Sequence, residues 1–286
     1  MARIKLEEGV MPHVTVGREN SADIELYYED LGSGSPVLLI HGYPLSGHSW
    51  EKQVPPLLAA GHRVITYDRR GFGDSSQPSG GYDYDTFTAD LTTLIETLDL
   101  RDLTLVGFSM GTGEVTRYLG THGSARVRKA VLLAPIPPFL LKTDDNPEGV
   151  DRAVFDGIEA AIVADRPAYL KAFLDDFYNV DKLGGTRISD QAWQLSWNVA
   201  AGASVIATLA CVSTWLTDFR DDVSKIDVPT LVVQGDEDRI LPIDATGRRL
   251  AALLKDVRFV EIPGGPHNIG WTHSDEVNAA LLDFVA

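Results

Sequence analysis

Six short apolar runs, at residues 36–40, 63–67, 103–106, 127–133, 230–233 and 257–262, alternate with helical patterns at 50–60, 85–98, 111–119, 246–254 and 274–284. Apolar runs this compact read as strands buried on both faces. Strand alternating with helix joins them into a parallel sheet through right-handed crossovers. Ahead of them, two alternating runs at 14–16 and 24–28 flank a turn-forming stretch and predict an antiparallel hairpin. The spacing therefore predicts an α/β fold whose mostly parallel, eight-stranded sheet is flanked by helices.

The alternation stops between about 137 and 222. That stretch opens on Pro135-Ile136-Pro137-Pro138 and Asp144-Asp145-Asn146-Pro147, both breaker signals, and then turns helical. The division expected is a core of 12–136 and 223–286, a helical cap insert of 137–222, and an N-terminal extension of 1–11. The insert carries aromatic pairs four apart, Phe173 with Phe177, Trp193 with Trp197 and Trp215 with Phe219, as residues sharing a helix face would be. Packing is the ordinary role for each; lining a substrate pocket is the alternative.

Composition excludes several classes. A formal charge of −16 would repel nucleic-acid phosphates and anionic membranes alike. The single cysteine, Cys211, permits no internal disulfide and no cysteine-based zinc site, which fits a reducing cytoplasm. No apolar run approaches the roughly 18 residues of a membrane span, and the N-terminus lacks the apolar centre of a signal peptide.

At the junction of the 103–106 run and the next helix stands Gly107-Phe108-Ser109-Met110-Gly111. Strand, G-x-S-x-G, helix is the arrangement that lifts a serine onto a sharp, strained turn. The pentapeptide alone is common, so its meaning depends on finding a base, an acid and an oxyanion site. Catalytic groups gather at the carboxyl ends of parallel strands. Of seven histidines, His267 follows the last run through Pro263-Gly264-Gly265-Pro266, where such a base is needed. His273 reads as a surface or capping residue, His122 as solvated, and His41 as a structural hydrogen-bonding group. The acid belongs after the 230–233 run, where Asp236, Glu237 and Asp238 all stand; position does not choose among them. The oxyanion amides are expected at Met110, directly after the serine, and at Tyr43 in the loop His41-Gly42-Tyr43-Pro44, since Pro44 has no N–H. Gly71-x-Gly73 after the 63–67 run lacks the third glycine of a dinucleotide loop, with Ser76 in its place, which argues against nucleotide binding.

Together these stretches resemble the α/β-hydrolase superfamily, and more narrowly its cofactor-free bacterial haloperoxidases and perhydrolase-esterases. The resemblance runs from Pro12 to the end. It is carried by residues 41–50, by Tyr67-Asp68-Arg69-Arg70-Gly71-Phe72-Gly73-Asp74-Ser75-Ser76, by residues 106–114 and by 215–220. It implies a catalytic triad of Ser109, Asp238 and His267, since the family's acid stands just before an arginine and a few residues before a proline. It also implies oxyanion amides at Tyr43 and Met110. The activity implied is serine-dependent ester hydrolysis through an acyl-enzyme, with hydrogen peroxide able to replace water and yield a peracid. Neither metal nor cofactor is implied. The partners expected are a small ester or carboxylic acid, hydrogen peroxide, and copies of the chain in a trimer or a multiple of three. Amidase, lactamase or C–C hydrolase chemistry, or ligand binding with little turnover, are the alternatives on the same residues. One departure stands out: Asn268 follows His267 where the family has glycine. Asn tolerates a left-handed backbone, so the loop is expected to keep its shape and to turn a polar side chain toward the pocket. Phe108, Met110, Asn268 and the insert are expected to shape that pocket.

Overall fold

The computed structural model describes residues 12–286; the N-terminal extension expected at 1–11 lies outside them. Eight strands form one sheet: β1 (His13–Glu19), β2 (Ala22–Gly32), β3 (Pro36–Ile40), β4 (Arg63–Tyr67), β5 (Leu103–Phe108), β6 (Val127–Leu133), β7 (Thr230–Gly235) and β8 (Val257–Ile262). Their spatial order is β1-β2-β4-β3-β5-β6-β7-β8. The hairpin β1–β2 and the pair β2–β4 are antiparallel. All pairs from β4 through β8 are parallel. β5 and β7 are buried along their whole length, as continuous apolar runs covered on both faces must be. β8, at the edge, is mostly half-buried.

The helices are α1 (Val54–Ala59), α2 (Tyr84–Thr97), α3 (Met110–His122), α4 (Arg152–Phe177), α5 (Val180–Leu183), α6 (Asp190–Gly202), α7 (Val205–Thr214), α8 (Arg220–Val223), α9 (Gly247–Leu253), α10 (Ile269–Thr272) and α11 (Ser274–Val285). The helix expected over 50–60 is cut to α1 behind a 3₁₀ turn at Gly47–Trp50. Pro55 and Pro56 carry no N–H, so they fit only a first helical turn. Five helices, α4 to α8, lie between β6 and β7. α4 is broken at Asp165 (φ −160°, ψ 88°), two residues before Pro167; Asp165 Oδ1 restarts the helix by accepting from the Ala168 N–H at 3.0 Å.

The aromatic pairs divide. Phe173 and Phe177 do share one face of α4, with ring centroids 5.5 Å apart. Trp215 and Phe219 do not share a helix: Trp215 caps the end of α7 and Phe219 precedes α8. Among the described residues, no single helix is long and apolar enough to cross a membrane.

Candidate active site

Ser109 sits between β5 and α3 at φ 52° and ψ −118°, a backbone conformation that a side chain rarely adopts. The crowding that enforces it falls on the two glycines of the motif. A Cβ on Gly107 would lie 2.5 Å from the Gly111 carbonyl oxygen, and one on Gly111 would lie 2.4 Å from the Ile40 carbonyl oxygen. Only hydrogen fits at either place.

Ser109 Oγ is 2.9 Å from Nε2 of His267. Nδ1 of the same ring is 2.8 Å from Asp238 Oδ2. Of the three acids in the loop after β7, Asp238 is thus the one that reaches His267. Asp236 instead accepts from the Gly264 N–H at 2.7 Å, tying two loops together. Glu237 pairs on the surface with Lys182. Asp238 is held on both oxygens. Oδ1 accepts from the backbone N–H groups of Ile240 (2.9 Å) and Leu241 (2.8 Å), and Oδ2 also accepts from Gln234 Nε2 at 3.1 Å. His267 is fully buried and packs against the rings of Phe108 and Phe177 at 5.2 and 5.1 Å.

The Tyr43 N–H donates to no protein acceptor among the described residues. Met110 opens α3, so its N–H has no acceptor within the helix. Both amides are therefore free to bind an anion.

Ser109 opens into a cavity of about 280 Å³ lined by Tyr43, Ile136, Leu140, Val154, Phe155, Ile158, Tyr169, Phe173, Trp215 and Leu241, with Asp176 and Arg239 also on its wall. The pocket residues expected from sequence lie elsewhere. The Phe108 ring packs against Trp50, Phe177 and His267 and is not on the wall of this cavity. The Met110 side chain is fully buried and does not reach the cavity. Asn268 borders a separate cavity of about 370 Å³ with Tyr178, Ser196 and Trp271. Its backbone is not left-handed (φ −86°). Instead, Asn268 caps α10: Oδ1 accepts from the Trp271 N–H at 3.2 Å while Nδ2 donates to the Tyr178 hydroxyl at 3.1 Å.

His273 stands between α10 and α11 as a capping position but is buried. His122 is exposed, stacked on Tyr118. The residues that sequence reading passed over are Gln234, which fixes the acid, and Tyr169, which lines the cavity beside Phe173 and Trp215, two aromatics for which a pocket role was the alternative. Gln234 carries a visible signal, a polar residue ending an apolar run. The aromatics carry none, since core and pocket aromatics look alike in sequence. Among the described residues no His, Cys, Asp or Glu side chains are grouped so as to hold a metal ion.

The strand order, the serine elbow and the Ser–Asp–His chain order define an α/β-hydrolase-fold enzyme, and the α/β-hydrolase fold family matches residues 35–274. The chain is 68% identical over 275 residues to a protein of Synechocystis sp. provisionally named a non-heme chloroperoxidase, covering 96% of this chain and all of that one. It is 32% identical over 266 residues to a bifunctional esterase/perhydrolase of Acinetobacter calcoaceticus (92% of this chain, 96% of the other). The crystal structure of a bromoperoxidase from Bacillus anthracis superimposes with a TM-score of 0.92 at 46% identity, over 96% of this chain and 99% of that one. The chain belongs to the non-haem haloperoxidase family of α/β-hydrolases.

Proposed function

We propose that the protein is a serine-dependent ester hydrolase that acts through an acyl-enzyme on short acyl groups, and that hydrogen peroxide can take the place of water. The observation that carries this reading is the continuous chain from Ser109 Oγ through the His267 ring to Asp238, closed at 2.9 and 2.8 Å. His267 Nε2 takes the hydroxyl proton as Oγ bonds to the ester carbonyl carbon. Asp238 keeps the other ring proton on Nδ1 and stabilises the imidazolium. The tetrahedral oxyanion lies against the Tyr43 and Met110 amides, each donor contributing about 3 kcal/mol. As the intermediate collapses, the C–O bond to the alcohol breaks and His267 returns the proton to the leaving oxygen. Water then repeats the sequence on the acyl-enzyme, releasing the acid and restoring Ser109.

Peroxide entering in place of water gives a peracid, and the peracid released into solution would oxidise halide. The names of the Acinetobacter and Bacillus relatives support this second half. The apolar wall of the 280 Å³ cavity supports a short, uncharged acyl group. Ser109→Ala is expected to abolish hydrolysis of p-nitrophenyl acetate and, with peroxide and acetate present, halogenation of monochlorodimedone. Activity retained in that variant overturns the reading. Loss of the ester reaction with halogenation never detected in the parent confines it to hydrolysis.

A further inference from the structure

A buried ion pair lies beneath the loop that carries Tyr43. Glu114, on α3 one turn beyond Met110, is fully buried, and Arg69, just after β4, is 1% exposed. The Arg69 guanidinium donates to the Glu114 carboxylate, which also accepts from the Tyr67 hydroxyl. A charge pair so far from water is a poor device for stability alone, because desolvation offsets most of its attraction.

What the pair holds is His41. Arg69 Nη2 donates to the His41 carbonyl at 2.9 Å, and the Arg69 backbone N–H donates to His41 Nε2 at 3.0 Å. Because Nε2 accepts, the ring proton is on Nδ1, which donates to the Gly42 carbonyl at 2.9 Å. Burial and the neighbouring Arg69 charge both push the His41 pKa well below its ordinary value, which keeps this neutral tautomer. The Gly42 carbonyl and the Tyr43 N–H belong to one peptide unit, trans like its neighbours apart from the following Tyr43–Pro44 bond. In a trans unit the two groups point in opposite directions. The same carbonyl accepts from the Leu45 N–H at 3.0 Å, and fixing it by both donors aims the Tyr43 N–H. The loop has no slack against the nucleophile either: a Cβ on Gly42 would lie 2.8 Å from the Phe108 ring and 2.9 Å from Ser109 Cβ.

We propose that Glu114, Arg69 and His41 are positioning residues that aim the Tyr43 amide at the oxyanion. The proposal rests on the function argued above, in which Ser109 is the nucleophile and Tyr43 an oxyanion donor. The neighbouring pair Arg70–Asp90 provides the control. It is almost as buried, bidentate at 2.6 and 2.7 Å, and joins the β4 end to α2 without touching the loop.

Steady-state kinetics with p-nitrophenyl acetate, melting temperature, and inhibition by a boronic acid that mimics the tetrahedral intermediate are measured for wild type, Glu114→Gln, His41→Gln, Tyr67→Phe and Asp90→Asn. Glu114→Gln and His41→Gln are expected to lower kcat by roughly 10- to 100-fold, as misplacing one oxyanion donor should. KM is expected to stay within about threefold, and boronate affinity to fall in step with kcat. Asp90→Asn is expected to lower the melting temperature comparably and to leave kcat within about twofold. An unchanged kcat in folded Glu114→Gln, or an equal fall in Asp90→Asn, overturns the proposal. Should Glu114→Gln not fold, Tyr67→Phe decides: it removes one hydrogen bond to Glu114, and a kcat equal to wild type counts against positioning. Labelling of wild-type Ser109 by a fluorophosphonate separates the two levels. Without labelling the function itself fails; with labelling and unchanged variants only the positioning role fails.

Discussion

Ser109 Oγ and His267 Nε2 meet at 2.9 Å across 158 residues of sequence. The serine reaches that point on a strained turn, and the histidine is fixed from behind by Asp238, whose two oxygens already accept four hydrogen bonds. Asp238→Asn has no comfortable orientation. With its amide nitrogen toward His267 it would donate to Nδ1, forcing the ring proton onto Nε2 and blocking proton uptake from Ser109. Turned over, it would face the N–H groups of Ile240 and Leu241. A kcat loss on the order of 10³- to 10⁴-fold is expected for ester hydrolysis, with the fold retained. A loss below tenfold would mean that another group orients His267.

Phe173 and Phe108 separate pocket from support. Phe173 lines the Ser109 cavity and meets the Tyr43 ring at 5.6 Å. Phe173→Ala is expected to enlarge the cavity and shift the kcat/KM optimum among p-nitrophenyl esters toward longer acyl chains, by about tenfold in relative preference. Phe108→Ala is expected instead to cost about 3–5 kcal/mol of stability, read by denaturant unfolding, with chain-length preference unmoved. The reverse pattern would put the acyl group on the Phe108 side.

Asn268 does not use the left-handed conformation that a glycine would supply. Its side chain caps α10 and holds Tyr178, whose hydroxyl in turn lies 2.7 Å from Ser196 Oγ. Asn268→Ala is expected to destabilise by about 1 kcal/mol, as loss of a cap does, with kcat/KM for small esters within about threefold. A large change in acyl preference at unchanged stability would put Asn268 in the pocket after all.

How far this site could be read from sequence follows from the range of the forces that build it. The sheet was legible because buried parallel strands need continuous apolar runs, and those at 103–106 and 230–233 each stop two residues short of the ends of β5 and β7. The elbow was legible because the crowding at Gly107, against the Gly111 carbonyl, acts within five residues, although the one at Gly111 comes from Ile40 on another strand. Asp238 was not separable from Asp236 and Glu237 by position, since its selection depends on the Ile240 and Leu241 amides and on Gln234 turning toward it. The cavity wall was the least legible part. Phe108 and Phe173 are both apolar aromatics near the site, and which one lines the cavity is decided by tertiary packing, not by local pattern. Trp215 and Phe219 kept helical spacing across a turn for the same reason: periodicity cannot see where α7 ends.

His41 gives the stability of the protein a definite pH dependence. Its ring is fully buried and neutral, accepting at Nε2 from the Arg69 N–H, and its pKa is held well below the usual value by burial and by the Arg69 charge. In the unfolded chain the same imidazole takes up a proton near 6.5. Below that pH the unfolded state binds a proton that the folded state refuses, so this contribution is intact above about 6.5 and drains away as the pH falls through and beneath it. Each pH unit below costs up to about 1.4 kcal/mol until the folded pKa is reached. The buried carboxyls of Glu114, Asp68 and Asp90 act in the opposite sense, because burial raises their pKa values and acidification relieves them. The net curve for the wild type therefore mixes both, and the comparison with a variant isolates His41. Between pH 7.5 and 5.5 the wild type is expected to lose more melting temperature than His41→Gln, which starts lower but has no ring to protonate. Parallel losses in the two proteins would show that the folded His41 ring accepts a proton as readily as the unfolded one.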